Sequence, residues 1–290
     1  MVFKTTRYIL VSGLIPFESG KTWFTIGVGL AIRNQGFKVA VYKPVAAHNL
    51  WYSPRTIRKS IELGVLVGND VSLYYDYGLM PNPAIGNPIA LATTPVDPGV
   101  YLENLNTYYS ELENIYSILV LSRKTSCLSN TIIHNYYPEN TRKLAGRTKR
   151  LVLKLARYLK AVESNIGELN EYMSSRRIEE ELDKCLEEYS RGIEVVLVES
   201  FNDAVAPYLG ILDKIIALGV VAPSRILVYT DIEVVKEIVE EAVSSMGWEG
   251  LRTKHLVEKT KPSFTIETTP ISKPGVRREH ELFVKHVVST

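Results

Sequence analysis

Between Tyr8 and Tyr42 the chain reads as a strand, a helix and a second strand. Tyr8 to Val11 is a short β-rich run, Thr22 to Asn34 spaces its apolar residues helically, and Gly36 introduces the run Lys38-Val39-Ala40-Val41-Tyr42. Two strands joined through a helix pair in parallel, and a parallel sheet needs helices over its faces. The unit therefore predicts an α/β fold, a parallel β-sheet flanked by helices. Ser117 to Leu121, Val195 to Val198 and Arg225 to Tyr229 are further candidate strands, each almost continuously apolar. Between Leu151 and Tyr189 apolar residues recur three or four apart, which predicts two amphipathic helices with a break near Ser174-Ser175. From Lys254 to Thr290 the chain is richer in Pro, Thr and charge, as short edge strands or a tail would be. Without repeats or low-complexity linkers, the expectation is one domain over residues 1–290. It carries a helical elaboration at about 140–190 and a short-strand region at about 250–290.

Composition narrows the class. With 46% hydrophobic and 23% charged residues in 290, the chain has material for a large core, which excludes disorder, collagen and coiled coil. Lys and Arg number 34 against 32 Asp and Glu, so any affinity for nucleic acid or anionic lipid must come from local clustering. No apolar run approaches the roughly 18 residues of a membrane span, and MVFKTTRYILVSG lacks a signal-peptide pattern. A cytoplasmic enzyme with no membrane partner is the expectation. Cys127 and Cys185 lie 58 positions apart with no CxxC or neighbouring His, which reads as two thiols rather than a zinc site or disulfide. A single Gln beside many charges is a thermophile signature.

The chemical signal lies in Gly13-Leu14-Ile15-Pro16-Phe17-Glu18-Ser19-Gly20-Lys21-Thr22, between the first strand and the first helix. A phosphate-binding loop needs a strand end, a turn whose N–H groups curl around oxyanions, and a helix N-terminus facing the same anion. Glu18, Ser19, Gly20, Lys21 and Thr22 would then form the nucleotide cradle, with Lys21 on the β and γ phosphates of ATP and the Thr22 hydroxyl on Mg²⁺. The strict pattern has Gly where this chain has Ile15, and Gly13 lies seven before Gly20, so the loop is a variant.

That loop is followed by Val39-Ala40-Val41-Tyr42-Lys43-Pro44-Val45, Asn69-Asp70, Asn87-Pro88-Ile89-Ala90 and Val196-Leu197-Val198-Glu199. In order and rough spacing the chain resembles the dethiobiotin synthetase group of P-loop NTPases. The resemblance implies the P-loop NTPase fold of that type and an ATP- and Mg²⁺-dependent transfer onto a small-molecule substrate. It implies Lys43 as a second catalytic cation beside Lys21, and Asp70 and Glu199 with Thr22 as the Mg²⁺ set. Each residue also has a physical reading. Lys43 and Glu199 end strands where ligands bind in open α/β sheets, whereas Asp70 can equally be the N-cap of a helix from Val71 to Tyr77. After its Lys-Pro-Val the family carries a Ser-Gly pair near the substrate, where this chain has Ala46-Ala47-His48. After its glutamate the family has a glycine-rich turn, where this chain has Ser200-Phe201-Asn202-Asp203. These departures imply an acceptor other than the family's own. His48 reads as an ordinary surface histidine.

Two alternatives stand beside this reading. Pro16-Phe17-Glu18-Ser19-Gly20-Lys21-Thr22 is similar to the loop of RNA-end polynucleotide kinases. Arg123, Lys124, Arg142, Lys143, Arg147, Lys149, Arg150, Lys154, Arg157 and Lys160, with Tyr136 and Tyr137 among them, have the makings of single-strand binding. A solvated helix face explains those residues without a ligand, so nucleic acid is the less favoured partner. A nucleotide-dependent switch, with the Leu151 to Tyr189 helices as docking surface, is the other alternative, and a homodimer is compatible with either. Thr230-Asp231 is a weak base-recognition pattern that reads better as a helix cap.

Overall fold

The computed structural model describes residues 5–175 and 177–288. The chain begins β1 (Arg7–Gly13), α1 (Lys21–Asn34), β2 (Val39–Tyr42), β3 (Val45–Asn49), α2 (Arg55–Leu63), α3 (Asn69–Asp76), α4 (Pro83–Gly86) and β4 (Ile89–Thr93). It continues with α5 (Leu105–Glu113), α6 (Ile115–Ile118), β5 (Leu119–Ser126), β6 (Thr131–Tyr136), α7 (Pro138–Thr141), α8 (Gly146–Tyr158), β7 (Val162–Glu163), α9 (Ile166–Ser174) and α10 (Arg177–Tyr189). Then follow β8 (Val195–Glu199), β9 (Ile215–Ala222), β10 (Arg225–Tyr229), α11 (Ile232–Met246), α12 (Thr253–Lys259), β11 (Phe264–Glu267) and α13 (Arg278–Val287). The protein is α/β, with mixed sheets that include parallel strands flanked by helices. Among the described residues, no helix is long and apolar enough to cross a membrane.

Two compact units divide the chain. The first comprises the described residues up to Pro44, Tyr74–Pro81 and those from Leu186 onward; the second comprises Val45–Leu73 and Asn82–Cys185. The first unit holds a six-stranded sheet in the order β11-β10-β9-β1-β8-β2. β1 pairs in parallel with both β8 and β9, and β2 pairs in parallel with β8, so β1 and β8 are interior strands. Val195, Val196, Leu197 and Val198 are wholly buried, which is why they read as a continuous apolar run. The sheet is not parallel throughout, as the sequence led us to expect. Pro223 and Ser224, the latter at φ 65°, turn β9 back into an antiparallel β10, and β11 adds antiparallel at the edge. Beyond Lys254 the chain supplies that edge strand and α13, whose Phe283 meets Phe24 of α1 edge-on with ring centroids 5.2 Å apart.

The second unit holds a five-stranded sheet, β3-β4-β5-β6-β7, in which β3/β4 and β6/β7 are parallel and β4/β5 and β5/β6 antiparallel. One core cluster joins Leu50, Ile57, Leu66, Val120 and Leu121 to Val152, Leu155 and Leu159. The strand expected at Ser117 to Leu121 begins at Leu119, because the Asn114 side chain accepts from Tyr116 N and starts the short α6. It runs on through polar residues because Arg123 is wholly buried and satisfied. Its Nε donates to Leu66 O at 3.0 Å, Nη1 to Ala84 O at 2.8 Å and to Thr125 Oγ1, and Nη2 to Asn87 O at 2.5 Å and Oδ1 at 2.9 Å. These acceptors are neutral, and burial pulls the guanidinium pKa down to about 9. Between Leu151 and Tyr189 the break after Ser174 is present, and a second one around β7 separates α8 from α9. Cys127 and Cys185 are bonded to each other, contrary to the reading as thiols. The end of β5 comes beside α10 with the two Cα atoms 5.2 Å apart, a contact that a separation of 58 residues does not announce.

Candidate functional site

The loop between β1 and α1 is held at both ends by backbone geometry. Leu14 N donates to Val221 O at 2.9 Å, and Phe24 N closes the first turn of α1 onto Gly20 O at 3.0 Å. Gly20 sits at φ 89°, where a side chain would be strained. Gly13 is required for another reason: a Cβ there would lie 2.7 Å from Ser19 Oγ and 2.8 Å from Lys21 Nζ. The glycine seven before Gly20 thus lets the variant loop fold down over the strand end. Among the described residues, no hydrogen bond engages the backbone N–H of Glu18, Ser19 or Gly20, and the first turn of α1 carries no acidic residue. Unmet N–H groups at a helix N-terminus are what an oxyanion requires.

Lys21, Thr22, Lys43 and Glu199 meet here. Lys21 Nζ donates to Asn202 O at 2.5 Å and approaches Ser19 Oγ at 3.4 Å. Glu199 ends β8 opposite Val11 of β1, and Tyr42 of β2 pairs with Val198, so Lys43 leaves β2 beside the carboxylate. Lys43 Nζ forms an ion pair with Glu199 Oε1, and Thr22 Oγ1 donates to the same oxygen at 3.3 Å. Both members of the pair are buried, Lys43 at 4% and Glu199 at 0% exposure. The other oxygen, Oε2, accepts from the phenol of Tyr74, itself wholly buried. Sequence reasoning missed Tyr74, since a tyrosine in an amphipathic helix carries no sign of a carboxylate 125 positions away. It also missed Asn202, which contributes only its carbonyl at φ 43°.

Glu18 stands exposed on the loop at φ 55°, and Ser19 is buried beneath it. Asp70 belongs to the second unit, inside the first turn of α3 and not at its N-cap. His48 is corrected: it lies on β3 in that same unit and is buried rather than on the surface. Burial lowers its pKa to about 4, against an opposing pull from Asp70. Asp203 is committed to Arg252 Nε at 2.8 Å. Asp231 caps α11 through Val234 N, as its position suggested, and Thr230 is tied to Ser263. The basic segment contracts: Arg123 is buried structure, Lys124 lies over the Tyr172 ring at 3.4 Å, and Tyr137 is buried against Ser122.

Chemically, the first unit offers free N–H groups, two cations, one hydroxyl and one carboxylate around a loop. Among the described residues no three His, Cys, Asp or Glu side chains gather to hold a metal alone. A hydroxyl and one carboxylate suit a cation that takes its other ligands from phosphate and water, as Mg²⁺ does. Compared with protein-family models, curated proteins and solved structures, the chain matches none.

Proposed function

We propose that the protein binds a nucleoside triphosphate with Mg²⁺ at the β1–α1 loop and transfers its phosphoryl group, or energy from it, to a small-molecule acceptor. This is the activity of a divergent relative of the dethiobiotin synthetase group of P-loop NTPases. One observation carries the reading: Lys21, Thr22, Lys43 and Glu199 converge at the C-terminal ends of β1, β2 and β8, around the N-terminus of α1. The unbonded N–H groups of Glu18, Ser19 and Gly20 would receive phosphate oxygens. Lys21 would exchange the neutral Asn202 carbonyl for a phosphate, a stronger, charge-assisted partner. Thr22 and Glu199 would hold the metal directly or through water, and Mg²⁺, when bound, supplies charge neutralisation on the phosphates. Lys43 is the second cation for charge that builds up on the transferred group. ATP is the nucleotide that the resemblance implies.

Thermal unfolding with ATP, GTP or ADP, each with and without Mg²⁺, tests this. ATP with Mg²⁺ at 100 times its dissociation constant should stabilise the fold by about 2.7 kcal/mol through mass action. Lys21→Ala should remove that stabilisation and leave the apo midpoint in place, because the side chain is only partly buried. Equal stabilisation of the variant by ATP sinks the reading.

A further inference from the structure

Helix α8 divides cleanly between core and solvent. Val152, Leu155 and Ala156 face the core of the second unit. Arg147, Arg150, Lys154 and Arg157, spaced three, four and three apart, fall on one outward stripe, and all four are exposed. Leu151, 41% exposed, and Tyr158, 55% exposed, flank that stripe. No acidic residue occurs between Asn140 and Ala161. Among the described residues, Arg147, Lys149, Arg150 and Lys154 have no carboxylate partner, and Arg157 Nε reaches only Leu153 O of its own helix. Several cations elsewhere are paired, as Lys143 is with Glu111, Lys236 with Asp213 and Lys259 with Glu241. Like charges three and four apart on one helix face repel and destabilise the helix. A bound polyanion would remove that repulsion.

We propose that this face of α8 binds single-stranded nucleic acid. Its cations recur about every 5–6 Å along the helix, suited to neutralising successive phosphates. Tyr158 and Leu151 offer an aromatic ring and an apolar surface to bases that are not already stacked in a duplex. The proposal concerns the second unit alone and does not rest on the nucleotide site.

Fluorescence anisotropy of a labelled mixed-sequence 20-nucleotide RNA, titrated with the full chain at 50 to 200 mM salt, tests it. Four phosphate contacts predict a loss of affinity of about 50-fold across that range. Arg147→Glu/Arg150→Glu/Lys154→Glu should abolish binding, with circular dichroism and the thermal midpoint unimpaired. The Gln version of the same triple variant should flatten the salt slope and serves should the Glu version fail to fold. Tyr158→Ala should weaken binding at every salt concentration without changing the slope, and Lys21→Ala should bind RNA as the wild type does. No binding at 50 mM salt, or binding retained by the folded triple variants, overturns the proposal. Equal affinity for a duplex of the same length, indifferent to Tyr158→Ala, overturns the single-strand assignment.

Discussion

Glu199 is wholly buried and engaged on both oxygens, receiving Lys43 and the Thr22 hydroxyl on one and the Tyr74 phenol on the other. Removing one member of a buried ion pair strands the other in a medium that cannot solvate it, at a cost of about 3–5 kcal/mol. Glu199→Gln, nearly isosteric, should therefore lower stability by roughly that much, since Lys43 keeps its charge without its counter-ion. Lys43→Met with Glu199→Gln should lose much less than the two single variants added together. Urea unfolding of the four proteins checks this, and additive losses would show that the pair is uncoupled. Lys43 and Glu199 were legible in the sequence because each follows an apolar strand where chain direction alone points to the ligand edge. Tyr74 was not, because its role depends on where the end of α3 falls relative to β8. Arg123 shows the opposite error: one charge in a basic stretch looks solvated, yet its partners are the carbonyls of Leu66, Ala84 and Asn87.

At the scale of elements, β1, α1, β2, β8 and β10 were legible because each is long enough for its period to show and is bounded by Gly, Pro or a charge. The second unit was less so. Its β3 and β6 are half-exposed strands of mixed polarity, β7 has two residues, and β5 starts behind a capped helical turn. None of these carries an uninterrupted pattern. The same unit holds the Cys127–Cys185 bond, which joins the end of β5 to α10. Closing a loop of 58 residues restricts the unfolded chain by an amount worth about 4 kcal/mol. A Cys127→Ser/Cys185→Ser variant should accordingly unfold at lower urea than the oxidised wild type, and added reductant should bring the wild type down to it. Indifference of both to reductant, with two free thiols titrated in the native protein, would show that the bond does not form in solution.

For the whole molecule, three buried histidines contribute a pH dependence of stability. His48, His134 and His280 each have a pKa lowered from 6.5 to about 4, with burial the largest cause. Two of the rings also serve as acceptors: His134 Nε2 takes the Leu66 N–H at 3.1 Å and His280 Nδ1 the Arg277 N–H at 3.0 Å, bonds that a proton on the same nitrogen would break. A histidine whose folded pKa lies below its unfolded value binds more protons when unfolded, so stability rises with pH between the two values and levels off above the higher one. The window here runs from about 4 to 6.5. Each histidine contributes up to about 1.4 kcal/mol per pH unit inside it. His48 and His134 share the second unit and His280 lies in the first, so the second should lose stability about twice as steeply on acidification. Urea unfolding from pH 7 down to pH 5 reads this above the range where carboxylates titrate. His48→Leu should halve the slope of the second unit, because it removes one of that unit's two buried titrating rings. A midpoint that does not move between pH 7 and pH 5 would mean that these rings take up protons without leaving the core.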